Sequence, residues 1–187
     1  MFRFLNRSTD RTFFIAVQLL DRFFSSKQSA GITLDKKDLH LFGLVSSFIA
    51  SKIEDRRCIR MNEVLKEAGH GKFTKLEIIG AEKELCQTLG CELIVPNLLD
   101  EVIIALRTII QPAEPTDEPP SLKTNLELVC TFAAKAFVHD VKLTALPLAS
   151  QVYTVISVAI DFFKELLSLR SFRPDFEPAT DVPLTFE

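Results

Sequence analysis

The spacing of apolar residues along the chain predicts helices and almost no strands. Between residues 9 and 24 apolar side chains recur with a period of about 3.6 residues, as on one face of an amphipathic helix. Residues 39–50 are apolar in nearly every direction around a helical axis, which is typical of a helix surrounded by neighbours. Asp35 precedes this second segment and is placed to cap it. We therefore expect an amphipathic helix that ends before Gly31, a polar loop and a central buried helix.

The strongest local signal in the chain is a capping box. Thr74 is followed three residues later by Glu77, so each side chain can satisfy a backbone N–H group of the other residue. This pattern predicts a helix over 75–89 that ends at Gly90. Weaker signals predict a short helix from an N-cap at Asn62 to Gly69, and helices over 98–110, 122–141 and 146–169.

The predicted helices fall into two groups. An amphipathic helix, a loop and an all-round apolar helix occur at 9–53 and again at 122–166. We therefore expect an all-α protein of two small helical domains. The expected bounds are an N-terminal domain over 1–95, a C-terminal domain over 96–170 and an acidic, proline-containing tail over 171–187.

Composition and charge exclude several classes of protein. The 187 residues are 47% hydrophobic and 25% charged, which is the composition of an ordinary folded protein. The net charge of −3 argues against nucleic acid as the main partner, although Arg56, Arg57 and Arg60 form a local basic cluster whose simplest interpretation is a solvated loop. No apolar run approaches the length needed to cross a bilayer, and no secretory signal is recognisable. The expected location is the nucleus or the cytoplasm.

The sequence contains no recognisable catalytic or cofactor-binding motif. Its six glycines lack the spacing of a phosphate-binding loop, and His40, His70 and His139 have no partner at metal-ligand or triad spacing. The four cysteines form no CxxC pair, so neither a zinc site nor a disulfide framework is indicated. We expect no enzyme activity, no metal and no cofactor, and the residues by themselves indicate a helical interaction protein.

Two charged residues occur where the predicted helices should be mostly buried. Lys52 lies at the end of the apolar segment, and Glu82 lies in the middle of the helix predicted over 75–89. If these helices pack together, the two charges can form an ion pair, which is the least costly way to bury either of them in part. The alternative is that both side chains extend separately into solvent.

Three ordered segments resemble the cyclin box of the cyclins, the regulatory subunits of cyclin-dependent kinases. They read AVQLLDRFFS at 16–25, LHLFGLVSSFIASKIED at 39–55 and FTKLEIIGAEKELCQTLGCEL at 73–93. The resemblance is close over 9–95 and nearer to the mitotic A and B types. It is weaker over 96–169, where VHDVKLTALPLASQVYTVISVAI resembles the second cyclin fold. It implies tandem five-helix repeats, with the first helix of the first repeat largely missing.

The resemblance also implies a function and a set of site residues. It implies that the chain binds a cyclin-dependent kinase and activates it by positioning the kinase C-helix and activation loop. In this resemblance Lys52 and Glu82 are the paired charges that bind main-chain groups near the C-helix. Asp21, Leu41 and Gly43 fall on structural positions of the family. The other residues that it places in the kinase-binding region are Ile53, Glu54, Leu85, Leu89 and Leu93.

The chain departs from the family pattern at several points. The usual first helix supplies a docking patch for substrates and inhibitors and an arginine for the acid at Asp21. It is largely missing here, and MFRFLNR at 1–7 is at most its end. Ile53 and Cys91 stand where aromatic residues are usual, so kinase choice or affinity is expected to differ. Two alternatives remain open, a transcription-factor-like protein with the cyclin fold that binds DNA and a helical adaptor that activates no kinase.

Overall fold

The computed structural model describes residues 8–109 and 122–172, and every regular element within these ranges is a helix. The predicted all-α class is thereby confirmed. Contacts divide the chain into two compact units, Met1–Ala105 and Leu106–Glu187. The predicted domain bounds at 95 and 170 stay predictions, and the predicted tail lies beyond the described residues except for its first two positions.

The first unit is built from helices with clear capping signals. Thr9 caps the first helix and Asp35 caps the second through a capping box with Asp38, as its position predicted. The helices are α1 Asp10–Ser29, α2 Lys36–Glu54, α3 Met61–Glu63 with a π-helical turn Val64–Ala68, α4 Lys75–Thr88 and α5 Leu98–Ile109, of which the last four residues belong to the second unit.

Helix α1 continues to Ser29 and ends before Gly31, as the sequence predicts. The predicted start of the short helix that follows α2 was wrong. The predicted N-cap at Asn62 is replaced by Arg60, whose backbone N–H donates to the Glu63 carboxylate at 2.8 Å. The capping group at this end is therefore the Glu63 side chain.

Helix α4 begins and ends as the sequence predicts. The Thr74 and Glu77 side chains each accept a backbone N–H of the other residue, which completes the capping box. At the other end Gly90 adopts a φ of +60°, and the N–H of Cys91 donates to the Cys86 carbonyl at 2.8 Å. These bonds form a Schellman motif, in which a glycine tolerates the left-handed backbone better than other residues do.

Helix α2 lies at the centre of the first unit, as its apolar surface predicted. It packs against α1, α4 and the π-helical turn. The Phe23 ring of α1 lies 4.1 Å from the Phe42 ring of α2, measured between ring centroids, and both side chains are buried. Burying one such side chain contributes about 2 kcal/mol to folding. This core holds the end of α2 and the middle of α4 side by side.

The second unit contains the end of α5 and three further helices within the described residues. The helix predicted over 122–141 ends at Phe137, and a short helix that was not predicted follows it. The Asp140 carboxylate accepts the backbone N–H groups of Lys142 and Leu143 and so caps this short helix. Small buried residues, Ala134 and Ala159, lie on two helices that pack together. The helices of this part are α6 Leu122–Phe137, α7 Val141–Thr144 and α8 Leu148–Phe172.

Candidate functional site

The structure brings Lys52 and Glu82 together. Lys52 lies in the last turn of α2 and Glu82 in the middle of α4, and the packing of these helices places Lys52 Nζ 2.5 Å from Glu82 Oε1. The two side chains are 39% and 25% exposed. Exposed ion pairs contribute only about 0.2–1 kcal/mol to stability. The pair is therefore accessible to a partner and is not needed to hold the helices together.

Phe48 gives Lys52 a second contact. Lys52 Nζ lies 3.9 Å from the centre of the Phe48 ring, and the ring itself is buried in the core. Phe48 precedes Lys52 by four residues, so both side chains lie on one face of α2. Sequence reasoning did not select Phe48, although this four-residue spacing is readable from the sequence. The buried ring and Glu82 together fix the position of the ammonium group.

The structure divides the apolar residues near the pair into two groups. Leu85 is fully buried and Leu89 is nearly so, and both belong to the core of the first unit. They therefore support α4 and do not present a surface to a partner. Ile53 and Leu93 pack against the core but stay partly exposed, so of these four predicted residues they are the two that a partner can contact.

Ile79 is an exposed apolar residue that sequence reasoning missed. Its side chain is 43% exposed. It precedes Glu82 by three residues, which places the two side chains next to each other on one face of α4. The signal was present in the sequence, because Ile79 lies outside the stripe of α4 that packs on the core. Lys52, Glu82 and Ile79 together are called the paired-charge surface below.

Glu54 and the neighbouring Asp55 anchor the end of α2 to the start of α1. Arg11 Nη1 donates to Glu54 at 2.8 Å, and Arg11 Nε donates to Asp100 at 2.9 Å. Asp55 accepts from the Thr12 hydroxyl at 2.6 Å and from the Ser8 hydroxyl at 2.9 Å. Arg11 thus holds Glu54 in place, and this ion pair stabilises the contact between α1 and α2.

The ionisation of Asp55 reflects these contacts. Partial burial opposes the charged carboxylate, but hydrogen bonds from the Thr12, Ser51 and Ser8 hydroxyls outweigh it and lower the pKa of Asp55 below its ordinary value.

The Cys86 thiol on α4 has a raised pKa. Burial raises the pKa of the Cys86 thiol, and the nearby Glu82 carboxylate raises it further. Asp55 is therefore a charged anchor at neutral pH, whereas Cys86 stays a thiol.

The three residues on structural positions differ in their surroundings. Asp21 lies on the exposed side of α1, although neighbouring atoms remove part of its hydration and raise its pKa. Leu41 is partly buried against the core. A Cβ atom added at Gly43 would meet only the Leu20 side chain, at 3.9 Å, so this position has room for a methyl group.

The described residues hold no group of three or more side chains with the arrangement of a metal site. In the same ranges no helix is both long and apolar enough to span a membrane. His40 packs edge-on against the Phe73 ring, which is a structural role. The paired-charge surface can bind main-chain groups of a partner, because an ammonium group donates to carbonyl oxygens and a carboxylate accepts from N–H groups.

Comparisons with known proteins cover the part of the chain that contains these residues. Residues 6–94 match the family model described as "Cyclin, N-terminal domain". Among curated proteins, Cyclin-A2-1 of Arabidopsis thaliana is 29% identical over 112 residues, which make up 60% of this chain. The match covers 23% of the length of that plant protein. Both charges of the paired-charge surface fall within the family match.

Proposed function

We propose that this chain, whose residues 6–94 match the N-terminal domain of the cyclins, is a cyclin-family regulatory subunit of a cyclin-dependent protein kinase. The observation that carries this proposal is the Lys52–Glu82 pair. It is partly exposed, it joins α2 to α4, and it lies on the positions where the cyclin resemblance implies kinase-binding charges. Family membership alone indicates a regulatory protein and not an enzyme.

The pair suits the recognition of main-chain groups. Lys52 Nζ has three N–H donors, and within the described residues Glu82 is its hydrogen-bond acceptor. The ammonium group therefore retains donors for carbonyl oxygens at the end of a partner helix. The second oxygen of the Glu82 carboxylate accepts from backbone N–H groups in the same way. Because Phe48 and Glu82 fix the ammonium group, little conformational entropy is lost when a partner binds.

We propose that binding activates the kinase by selecting one of its conformations. The active kinase has its C-helix turned inward, so that a glutamate of that helix pairs with the lysine that holds the nucleotide phosphates. A partner that binds this conformation more tightly than the inactive one shifts the population toward it. The chain then contributes binding free energy and no catalytic group.

The proposal is tested by capturing a kinase and measuring its activity. The full chain is immobilised, incubated with a lysate of dividing cells and washed, and phosphorylation of histone is measured on the beads. We expect activity with the unmodified chain and a large loss with the Lys52→Ala/Glu82→Ala double variant. The loss follows from removing both charges that bind the kinase.

A matched control is available on the same helix. Lys27 Nζ lies 2.6 Å from Glu84 Oε1, so this pair also joins α4 to another helix, but it joins α4 to α1. The Lys27→Ala/Glu84→Ala variant removes the same two residue types and should keep the captured activity. Activity no higher than that of bare beads for the unmodified chain would overturn the proposal. Equal activity in the two double variants would show that the Lys52–Glu82 pair does not bind the kinase.

A further inference from the structure

Three arginines that follow α2 differ from every other arginine whose side chain the structure describes. Arg11 pairs with Glu54 and Asp100, Arg22 with Glu92 and Arg107 with Glu127. In contrast, the segment after α2 contains three exposed arginines for which the described residues supply no ion pair. They are Arg56, Arg57 and Arg60, called the arginine loop below.

The acidic residues next to the arginine loop have other partners. Glu54 binds Arg11, and Asp55 accepts hydrogen bonds from α1 and its N-terminal cap. The Glu63 carboxylate accepts the backbone N–H of Arg60. The loop therefore carries local positive charge on a chain whose net charge is −3.

The loop is held in place at both ends. Asp55, at its start, accepts the Thr12 hydroxyl at 2.6 Å. Near its end the backbone N–H of Ile59 donates to Ser51 Oγ at 2.8 Å, and Ser51 is fully buried in the last turn of α2. This bond folds the loop back against the turn that carries Lys52. The arginines are therefore presented beside the paired-charge surface and not on a free-moving chain.

We propose that the arginine loop binds a carboxylate-rich segment of the kinase partner, next to the segment that the Lys52–Glu82 pair binds. This inference rests on the proposed function and adds the chemistry of the partner surface. Guanidinium groups suit this task because they bind carboxylates in a bidentate manner and are weakly hydrated. Because the loop is already ordered, little of its conformational entropy is lost on binding. The acidic character of the chain as a whole favours a protein surface over nucleic acid.

The test compares charge-reversed variants in a binding measurement. The kinase captured by the unmodified chain is purified, and its affinity for the full chain is measured by surface plasmon resonance at low and at physiological salt. We expect the Arg56→Glu/Arg57→Glu/Arg60→Glu variant to bind at least about tenfold more weakly at low salt, with a smaller salt dependence than the unmodified chain. The corresponding triple lysine variant should retain most of the affinity because it keeps the charge.

The control reverses the same number of charges elsewhere. Lys36, Lys72 and Lys142 are exposed and lie outside the loop, so their triple glutamate variant has the same net charge as the arginine variant. Circular dichroism checks that both variants remain helical. An equal loss of affinity in the two triple glutamate variants would show a general charge effect and overturn the inference.

The outcomes separate this inference from the proposed function. If the arginine variant binds normally while Lys52→Ala/Glu82→Ala does not, the inference is wrong and the proposed function stands. If the unmodified chain captures no kinase, both are wrong. Duplex DNA serves as a second probe, and salt-dependent DNA binding that is lost only in the arginine variant would assign the loop to nucleic acid and contradict the inference.

Discussion

At the scale of single residues, an accessible surface depends on side chains that are themselves buried. Lys52 is partly exposed, but the Phe48 ring beneath its ammonium group is 4% exposed. Ser51, the residue before Lys52, is fully buried and holds the loop that follows. The charges available to a partner are therefore positioned by neighbours that no partner touches, which is why binding and stability can be altered separately.

Asp55→Asn is predicted to lower stability in a pH-dependent way. The variant weakens hydrogen bonds to a carboxylate, so we expect the free energy of unfolding at neutral pH to fall by about 1–3 kcal/mol. The pKa of Asp55 is lower in the folded protein than in the unfolded chain, where it is about 4. The stabilisation by its charge is therefore fully present above the unfolded pKa, and it is lost as the pH falls through the folded pKa. Urea unfolding at neutral and at acidic pH measures this difference.

The control for this prediction is Asp161→Asn. Asp161 lies 3.4 Å from Lys164 on the exposed surface of α8, so its removal should change stability by less than about 0.5 kcal/mol. A difference between Asp55→Asn and the unmodified chain that does not shrink at acidic pH would show that the charge of Asp55 is not what stabilises the fold.

Leu85→Ala and Ile53→Ala are predicted to have different effects. Leu85 is fully buried, so its truncation leaves a cavity and should cost about 2–5 kcal/mol of stability. Ile53 is partly exposed, so its truncation should cost about 1 kcal/mol and act mainly on kinase affinity. Urea unfolding and binding measured on both variants test this assignment. It would be refuted if Ile53→Ala proved the more destabilising of the two.

At the scale of elements, the sequence predicted what rests on local chemistry and missed what rests on tertiary contacts. The capping box at Thr74 and the cap at Asp35 are local signals, and both helix starts were found. The short helix after the one predicted over 122–141 begins where the Asp140 side chain caps it, which hydrophobic spacing does not report. The approach of Lys52 to Glu82 depends on how α2 packs against α4, so periodicity left it as one of two alternatives.

Gly43→Ala is predicted to stabilise α2. A Cβ atom at this position would make only an ordinary contact, 3.9 Å from the Leu20 side chain. Alanine is favoured over glycine inside a helix by about 1 kcal/mol, so the melting temperature should rise. The matched control is Gly90→Ala, which places a side chain at a φ of +60° and should lower the melting temperature. A fall for both variants would mean that α2 does not tolerate the methyl group.

At the scale of the whole molecule, the features that bear on function lie in the first unit. The paired-charge surface, the arginine loop and the whole family match fall within Met1–Ala105. The second unit contributes α6, α7 and α8. We therefore expect the first unit to bind the kinase.

The most direct measurement is the affinity of the purified kinase for the chain and its double variants by isothermal titration calorimetry. We predict that Lys52→Ala/Glu82→Ala weakens binding by about 2 kcal/mol or more, roughly thirtyfold, because anchor residues dominate interfaces of this kind. The Lys27→Ala/Glu84→Ala control should bind like the unmodified chain. Equal affinity for the unmodified chain and a correctly folded Lys52→Ala/Glu82→Ala variant would contradict the account.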